Sequence, residues 1–402
     1  MSRLAQAPGF RHGLVHPTRV VGSTFAEPAG IVNVAVPERG VDGWRTAAGG
    51  IARTRAAAEE SALGEALERY AAAACALPRR PRSAVDDCEV LELEDFSLYS
   101  EEQRRRPGFP HEALYAGPRT YTNVFDALDN RELWVPFELV GLSEAGAGVT
   151  TSSGLAAGRT PTRALLRALQ ELIERDALMV TWLHGVPGRR VEPPTRHMHE
   201  VAGLGGEIAC IDATPAYSPH PVALVAGTLP LRGIPRHSLG AACRATWAEA
   251  VEKAYLEWLQ GVIFVAYYRD AHPGLELRSP RDVRTFDDHA VYYSLHPEEW
   301  KRIPLLAGDA APPPPDADQS LEALVRALRH AGIRLLYREL TTIDVLQAGV
   351  HVVRALAPEL APIHCDAEWP LLGGTVADVE RRYPWVDRDA LRFPSPLPHP
   401  LG

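Results

Sequence analysis

Two long segments rich in alanine and leucine constrain the fold of this 402-residue chain more than any other feature. They span residues 53–77 and 162–184, and Gly64 is the only glycine or proline inside them. Alanine and leucine favour helices, and the apolar residues recur at helical spacing, so both segments are predicted to form long helices. Residues 247–268 and 320–331 have the same character and predict two more.

Short runs rich in β-branched residues lie between these helices, and their length and composition are typical of strands. Two of them, 207–214 and 221–229, are separated only by turn residues and are predicted to be neighbours. The predicted strands span residues 31–37, 133–140, 207–214, 221–229, 333–339 and 351–356. This order of strands and helices predicts an α/β or α+β fold of the size of an enzyme.

Composition excludes several classes of function. The net charge of −9 opposes general nucleic-acid binding, which requires a basic surface. No apolar run reaches the roughly 18 residues of a membrane span, and no secretory signal is expected at the N-terminus. The five cysteines include no C-x-x-C pair, so we expect neither a disulfide framework nor structural zinc, and a reducing, cytoplasmic environment fits best.

The two longest predicted helices share a carboxylate motif. Glutamates three or four residues apart lie on one face of a helix, where a pair of them can bind a divalent cation. Because Mg²⁺ takes one or two carboxylates and completes its octahedron with water and phosphate oxygens, two facing motifs would hold Mg–ATP without a glycine-rich loop. The first motif comprises Ser61, Glu65, Glu68 and Arg69, and the second comprises Glu171, Glu174 and Arg175.

A second interpretation of this motif stays open. Glu65–Arg69 and Glu171–Arg175 are also i,i+4 pairs of opposite charge, which stabilise solvated helices by about 0.2–0.5 kcal/mol each. The recurrence of the motif among alanine and leucine residues favours a functional role. No P-loop, G-x-G-x-x-G or G-x-S-x-G motif competes with it for a nucleotide or hydrolase function.

Taken together with three other stretches, the motifs resemble the YcaO family from about residue 22 to the C-terminus. The stretches are 61–69, 152–158 leading into 171–176, 344–354 and 394–400. The resemblance implies mixed sheets packed with long Ala/Leu-rich helices around a nucleotide site. It also implies a single YcaO-type domain over residues 1–402, in which 1–21 form an N-terminal extension and 394–402 a proline-rich tail.

The resemblance implies an ATP- and Mg²⁺-dependent enzyme that phosphorylates a backbone amide oxygen of a ribosomally made precursor peptide. Phosphorylation turns a poor leaving group into a good one, while the metal offsets the developing charge. In the cyclodehydratase branch a Cys, Ser or Thr side chain then closes to an azoline. Two alternatives stay open: another nucleophile, giving a macroamidine or a thioamide, and a degenerate site in a peptide-binding or scaffolding protein.

The resemblance implies a role for each residue of this chain that matches a family motif. Lys253 and Glu257 match a third motif in which the family places Arg before Glu, and Lys keeps the charge but loses the planar two-pronged donor. The ATP-binding residues implied are Ser61, Glu65, Glu68, Arg69, Glu171, Glu174, Lys253 and Glu257. The Mg²⁺ ligands implied are Glu65, Glu68, Glu171 and Glu174. The tail implied to end near the active site contains Pro396, Pro398 and Pro400.

Two departures from the family pattern concern this site. Residues 49–52 read Gly-Gly-Ile-Ala, without the lysine that the family places between glycines. Arg159, Arg163 and Arg167 stand where the family tends to have Asn, Glu and Gln. If that face meets nucleotide, the three arginines would contact phosphates directly. A shifted alignment and a solvated arginine face are the alternatives.

The resemblance also implies partners. We expect a ribosomal precursor peptide as substrate and a separate protein that delivers it by its leader, because the chain contains no obvious leader-binding module. A homodimer is expected from the resemblance alone. No nucleic-acid or membrane partner is expected.

Overall fold

The computed structural model describes residues 3–11, 13–21, 30–37, 40–41, 44–45, 48–142, 151–316 and 318–402. Its strands are β1 (Arg19–Val21), β2 (Val32–Val36), β3 (Gly40–Val41), β4 (Trp44–Arg45), β5 (Ala48–Ala52), β6 (Arg80–Pro81), β7 (Thr120–Asp126), β8 (Glu132–Pro136), β9 (Leu155–Gly158), β10 (Arg189–Val191), β11 (Glu207–Asp212), β12 (Val222–Leu231), β13 (Ile234–Cys243), β14 (Leu336–Glu339) and β15 (His351–Leu356). Its α-helices are α1 (Arg55–Ala74), α2 (Glu101–Arg105), α3 (Glu112–Ala116), α4 (Pro161–His184), α5 (Thr195–Ala202), α6 (Trp247–Ala271), α7 (Phe286–Leu295), α8 (Pro297–Trp300), α9 (Leu321–His330) and α10 (Ile343–Gln347).

The predicted helices and strands are present. The helix expected over 53–77 is α1, that over 162–184 is α4, that over 247–268 is α6, and that over 320–331 is α9. The two runs predicted to be neighbours, β11 and β12, pair in antiparallel register from Glu207–Thr228 to Asp212–Ala223. The expectation of an α/β or α+β fold is therefore confirmed.

The resemblance implied mixed sheets, and the structure refines that expectation. Every ladder between the described strands is antiparallel. A three-stranded sheet has the order β1-β2-β5, and a four-stranded sheet has the order β10-β11-β12-β13. A six-stranded sheet has the order β6-β7-β14-β15-β9, with β8 paired to β7. Strands β3 and β4 form a separate pair.

The three longest helices begin at the same kind of cap. Thr54, Thr160 and Thr246 each precede a helix, and each side chain accepts a hydrogen bond from the backbone N–H three residues on. A threonine in this position satisfies one of the N–H groups that the first turn leaves without a partner. Pro161 then occupies the first turn of α4, and Gly185 ends that helix with φ of 62°.

The long helices join the sheets to one another. Helix α1 packs on β2 and β5 of the three-stranded sheet and on β9 of the six-stranded sheet. Helix α4 packs on β9 and β15 on one side and on β13 on the other, while α6 covers β12 and β13. The apolar faces of all three helices are buried, so their polar faces meet where the three sheets approach one another.

The segment predicted as an N-terminal extension contributes to the core. Leu4, Ala7 and Val15 are buried in the apolar cluster around α1, and β1 adds an edge strand to β2. No helix among the described residues has the length and apolar character needed to span a membrane.

A buried ion pair anchors the middle of α4. Asp176 and Arg382 are both fully buried, and the carboxylate accepts from the guanidinium at 2.7 and 3.1 Å. Asp176 also accepts from the Tyr217 hydroxyl at 2.6 Å and from the Ala361 N–H at 2.7 Å. Because every part of the carboxylate is satisfied, the pair holds α4 against the C-terminal third of the chain.

Replacing Arg382 with alanine should therefore be strongly destabilising. The substitution leaves Asp176 as a buried carboxylate without its cation, which costs about 3–5 kcal/mol of the free energy of unfolding. Urea unfolding followed by circular dichroism measures the loss. The matched control is Arg159→Ala, which breaks an exposed pair with Glu60 and should cost less than about 1 kcal/mol. Equal losses in the two variants would contradict the assignment.

Candidate functional site

Helices α1, α4 and α6 bring four carboxylates together, which we call the carboxylate cluster: Glu68, Glu171, Glu174 and Glu257. Burial raises the pKa of Glu68 well above its usual value, and the charge of Glu171 raises it further. Burial likewise raises the pKa of Glu174 to about 8, and the charge of Glu257 is the next cause. Carboxylates that raise the pKa of their neighbours lie closer to one another than they would as side chains free in solvent.

Two cations lie within the carboxylate cluster. The guanidinium of Arg175 lies 3.6 Å from a carboxylate oxygen of Glu171 and 3.7 Å from one of Glu174. The ammonium of Lys253 lies 3.0 Å from Glu257 on the next turn of α6. The charge of Arg354 also acts on Glu171 and that of Arg69 on Glu68, so every carboxylate of the cluster has at least one cation nearby.

The loop before β9 closes one side of the carboxylate cluster. The Ala157 N–H donates to Glu68 at 3.1 Å, and the backbone of Gly154 forms a hydrogen bond to Glu171. Gly154 has φ of +78°, and a Cβ there would lie 2.4 Å from the Ala355 oxygen. The loop therefore requires glycine at this position for both its conformation and its packing.

Arg354 holds this loop and was not assigned a role from the sequence. Its buried guanidinium donates to the carbonyl oxygens of Ser153 at 2.6 Å, Thr151 at 2.9 Å and Val140 at 3.1 Å. Burial lowers the pKa of Arg354 to about 10, while the charges of Glu171 and Glu68 oppose that shift. The only signal in the sequence was a single arginine within the apolar strand β15.

Glu65 and Ser61 lie beside the carboxylate cluster. Glu65 accepts from the Gly49 N–H at 3.0 Å and from Arg69 at 2.6 Å, which joins α1 to β5. Its charge still reaches Glu68 and raises the pKa of that residue. Ser61 is exposed. A Cβ on Gly49 would lie 2.3 Å from the side-chain nitrogen of Gln260 on α6, so a larger residue there would require that flexible side chain to move.

The carboxylate cluster suits Mg²⁺ by the chemistry of its donors. Carboxylate oxygens are the hard ligands that Mg²⁺ prefers, and the ion needs only one or two of them when phosphate and water complete its octahedron. Within the described residues, no three His, Cys, Asp or Glu side chains are arranged as a complete metal site.

The structure separates the three arginines that the sequence placed together. Arg159 precedes α4 and pairs with Glu60 of α1 at 2.6 Å. Arg163 is exposed on the first turn of α4. Only Arg167 is partly buried, and it donates to Gln170 at 3.0 Å.

The proline-rich tail runs along α4. Pro396 is exposed, whereas Pro398 and Pro400 are buried. The Leu397 oxygen accepts from the Trp182 indole N–H at 2.8 Å, and the Pro398 oxygen accepts from the hydroxyl of a tyrosine on α7 at 2.7 Å.

The end of the tail approaches the carboxylate cluster. Burial lowers the pKa of His399 well below its usual value, and the charges of His289 and His364 add to that shift. Arg175, which lies within the cluster, lowers the pKa of His399 further. The tail therefore passes from the C-terminal end of α4 back toward the middle of that helix.

The fold first defines a class of protein. A heterocyclase in complex with substrate and cofactor superposes with a TM-score of 0.74 at 17% identity, over 99% of this chain and 57% of that one. YcaO from Methanopyrus kandleri bound with AMPPCP and Mg²⁺ gives a TM-score of 0.59 at 18% identity, over 86% of each chain. A chain of the E. coli microcin synthetase McbBCD complex gives 0.61 at 14% identity, over 88% of this chain and 90% of that one.

A family model then makes the assignment specific. The model described as YcaO cyclodehydratase, ATP- and Mg²⁺-binding, matches residues 49–361, and the chain belongs to the YcaO family. The resemblance stated from the motifs is confirmed. This chain covers only 57% of the length of the first heterocyclase named above. The shared fold therefore does not assign the activity of that whole protein to this chain.

Replacing Glu68 with glutamine should stabilise the metal-free protein. The pKa of Glu68 is raised in the folded state, so its ionisation weakens the fold as the pH rises through that folded-state pKa. Glutamine is uncharged and still accepts from the Ala157 N–H. At pH 8 we expect a gain of about 0.5–2 kcal/mol in urea unfolding, shrinking as the pH falls toward the usual glutamate pKa.

The control for this prediction is Glu60→Gln, which removes an exposed carboxylate from the same helix. It should change the free energy of unfolding by less than about 0.5 kcal/mol, both at pH 8 and near the usual glutamate pKa. A loss of stability in Glu68→Gln at pH 8 would mean that the carboxylate cluster is not under electrostatic repulsion.

Proposed function

We propose that this chain is an ATP- and Mg²⁺-dependent cyclodehydratase that acts on the backbone of a ribosomally made precursor peptide and forms azolines. The observation that carries the proposal is the carboxylate cluster, to which three helices contribute. Membership of a family described as ATP- and Mg²⁺-binding supports it. So does the fold shared with a heterocyclase that was solved with substrate and cofactor.

The residues of the carboxylate cluster have separable parts in this proposal. Glu68 and Glu171 face each other from α1 and α4 and would hold the metal, with Glu174 and Glu257 beside them. Mg–ATP, when bound, supplies the phosphoryl group that makes the amide oxygen a leaving group and the charge that offsets the transition state. Arg175 orients Glu171 and Glu174. Arg354 holds the segment whose backbone donates to Glu68 and Glu171.

Glu65 and Ser61 have supporting parts in the same proposal. Glu65 fixes the edge of β5 through the Gly49 N–H, so the first helix and the adjoining strand move as one unit. Ser61, Glu65 and Arg69 would border the nucleotide rather than bind the metal. The proposed metal ligands thereby change from Glu65, Glu68, Glu171 and Glu174 to Glu68 and Glu171, with Glu174 and Glu257 beside them.

The nucleophile distinguishes azoline formation from two related reactions. The P-x-P-x-P tail, which in the resembled branch accompanies azoline formation, favours attack by a Cys, Ser or Thr side chain of the peptide. An amine would give a macroamidine with the same loss of water, and sulfide would give a thioamide by exchange of oxygen for sulfur. Intact mass and fragmentation of the product separate the three outcomes.

Delivery of the peptide is proposed to need a second protein, because a related chain was solved in the McbBCD complex. A homodimer of this chain is the oligomer we propose, and light scattering of the purified protein measures it. These two assignments are independent of the carboxylate cluster and can fail without affecting the reaction proposed there.

The reaction is tested with purified protein, a candidate precursor peptide from a neighbouring gene, its partner protein and Mg–ATP. We expect phosphate release that depends on peptide and a product lighter by one water per ring. Glu171→Gln should lower turnover by at least about a hundredfold, because it removes a negative charge that would hold the metal in place. Glu60→Gln is the matched exposed control and should retain turnover. Nucleotide binding with no turnover under all these conditions would instead identify a peptide-binding or scaffolding protein.

Deleting residues 398–402 tests the part played by the tail. The deletion leaves the carboxylate cluster complete, so affinity for Mg–ATP should stay within about threefold, measured by calorimetry. Product formation should fall by about a hundredfold, because small displacements of positioning groups are costly in catalysis. A tail that only stabilises the fold would lower the unfolding midpoint while leaving turnover per folded molecule unchanged.

A further inference from the structure

An open depression with a volume of about 440 Å³ lies between the N-terminal halves of α4 and α6. Its charged lining residues are Arg167, Arg244, Glu249, Glu252 and Lys253. Three of these are cations, although the chain as a whole carries a charge of −9. The depression therefore concentrates positive charge on an otherwise acidic protein.

The two arginines of the depression have no carboxylate partner. Within the described residues, no carboxylate lies at ion-pair distance from Arg167 or Arg244. Glu252 is already neutralised by Arg53 at 2.7 Å, and Glu249 is exposed at the rim. Burial lowers the pKa of Arg167 to about 10, and the charge of Arg244 is the next cause, so two like charges share a partly buried space.

Arg167 is held in place by buried side chains. Its guanidinium donates to the Gln170 side-chain oxygen at 3.0 Å, and the Gln170 nitrogen lies 3.1 Å from His220 Nδ1. Gln170 is 1% exposed and His220 is fully buried. Arg244 donates to the Cys243 carbonyl at 2.6 Å, which fixes its orientation at the end of β13. A cation positioned in this way loses little side-chain entropy when an anion binds.

The depression is continuous with the carboxylate cluster. Arg244 is close enough to lower the pKa of Glu174, although burial raises it more strongly. Lys253 lines the depression and pairs with Glu257 of the cluster. The first turn of the 25-residue helix α6 also lines it, and a helix N-terminus adds partial positive charge.

We propose that Arg167 and Arg244 form a binding site for the terminal phosphates of a polyphosphate anion, adjoining the carboxylate cluster. The identification of that anion as a nucleotide rests on the proposed function, whereas the site itself does not. Arginine binds phosphate in a two-pronged geometry, and here two such donors face one space in which Glu252 is paired with Arg53 and Glu249 is exposed. Because the arginines supply part of the countercharge, polyphosphate binding should persist without Mg²⁺.

Calorimetry with inorganic tripolyphosphate in the presence of EDTA tests the site on the full chain. We expect saturable binding by the wild-type protein and a loss of at least about tenfold in affinity for both Arg167→Gln and Arg244→Gln. The matched control is Arg163→Gln, which removes the same charge one turn away on the exposed face of α4, and it should change affinity by less than about twofold. Circular dichroism and thermal unfolding establish that each variant is folded.

Equal losses in Arg163→Gln and Arg167→Gln would overturn the proposal, since they would show only long-range charge attraction. Binding that disappears in EDTA would also overturn it, because the metal would then be the main contact. Gln170→Leu supplies a second test: it leaves every charge in place but releases Arg167, and it should weaken tripolyphosphate binding without changing net charge.

The outcome is separable from that of the proposed function. Peptide-dependent turnover with no tripolyphosphate binding would leave the cyclodehydratase proposal standing and remove this site. Tripolyphosphate binding without turnover would leave the site standing and remove the cyclodehydratase proposal.

Discussion

Burial of Glu68, Glu171 and Glu174, with repulsion from neighbouring carboxylates added to it, is the constraint on which the arrangement of this site depends. Four carboxylates on three helices would separate if the helices could rotate or slide. Packing of the helices against β9, β13 and β15 prevents this movement. So does the buried ion pair between Asp176 and Arg382, because Asp176 lies two residues beyond Glu174 on α4. The stability of the core thus maintains a charge arrangement that is unfavourable in itself, as is common at functional sites.

The site has two electrostatic zones that match the two ends of a metal–polyphosphate ligand. The inner zone contains the four carboxylates, whose oxygens suit a hard cation. The outer zone contains Arg167 and Arg244 and suits an anion. Arg175 and Lys253 lie at the junction, where each contacts carboxylates of the inner zone. The presence of Arg167, which departs from the family pattern, is therefore compatible with binding of the same metal–polyphosphate ligand. The negative charge of that ligand would then be balanced partly by arginine and partly by the metal.

The sequence predicted the long helices well because their signals are local. Capping threonines mark where α1 and α4 begin, and Gly185 marks where α4 ends. Strand β9 was not predicted, since Leu-Ala-Ala-Gly has no β-branched residue, and its conformation comes from pairing with β15. The position of Glu257 beside the two motif helices was implied only by the resemblance, because it depends on how α6 packs rather than on any spacing within it.

The orientation of the arginines shows where helical periodicity stops being informative. A spacing of four predicted one stripe through Arg159, Arg163 and Arg167. Because Pro161 begins α4, Arg159 lies outside the helix and meets Glu60 on α1 instead. Periodicity also gives no information about which part of a helix face another element covers, and only Arg167 lies where β13 and α6 reach α4.

The tail illustrates a related constraint imposed by proline. Pro396, Pro398 and Pro400 have no backbone N–H, so this segment cannot form a regular ladder and can be held chiefly through its carbonyl oxygens. Three successive carbonyls accept from side chains: Leu397 from Trp182, Pro398 from Tyr293 and His399 from His289. A carbonyl can only accept, so His289 Nδ1 donates in that contact. The course of the tail is therefore set by donors on α4 and α7, which the proline pattern does not reveal.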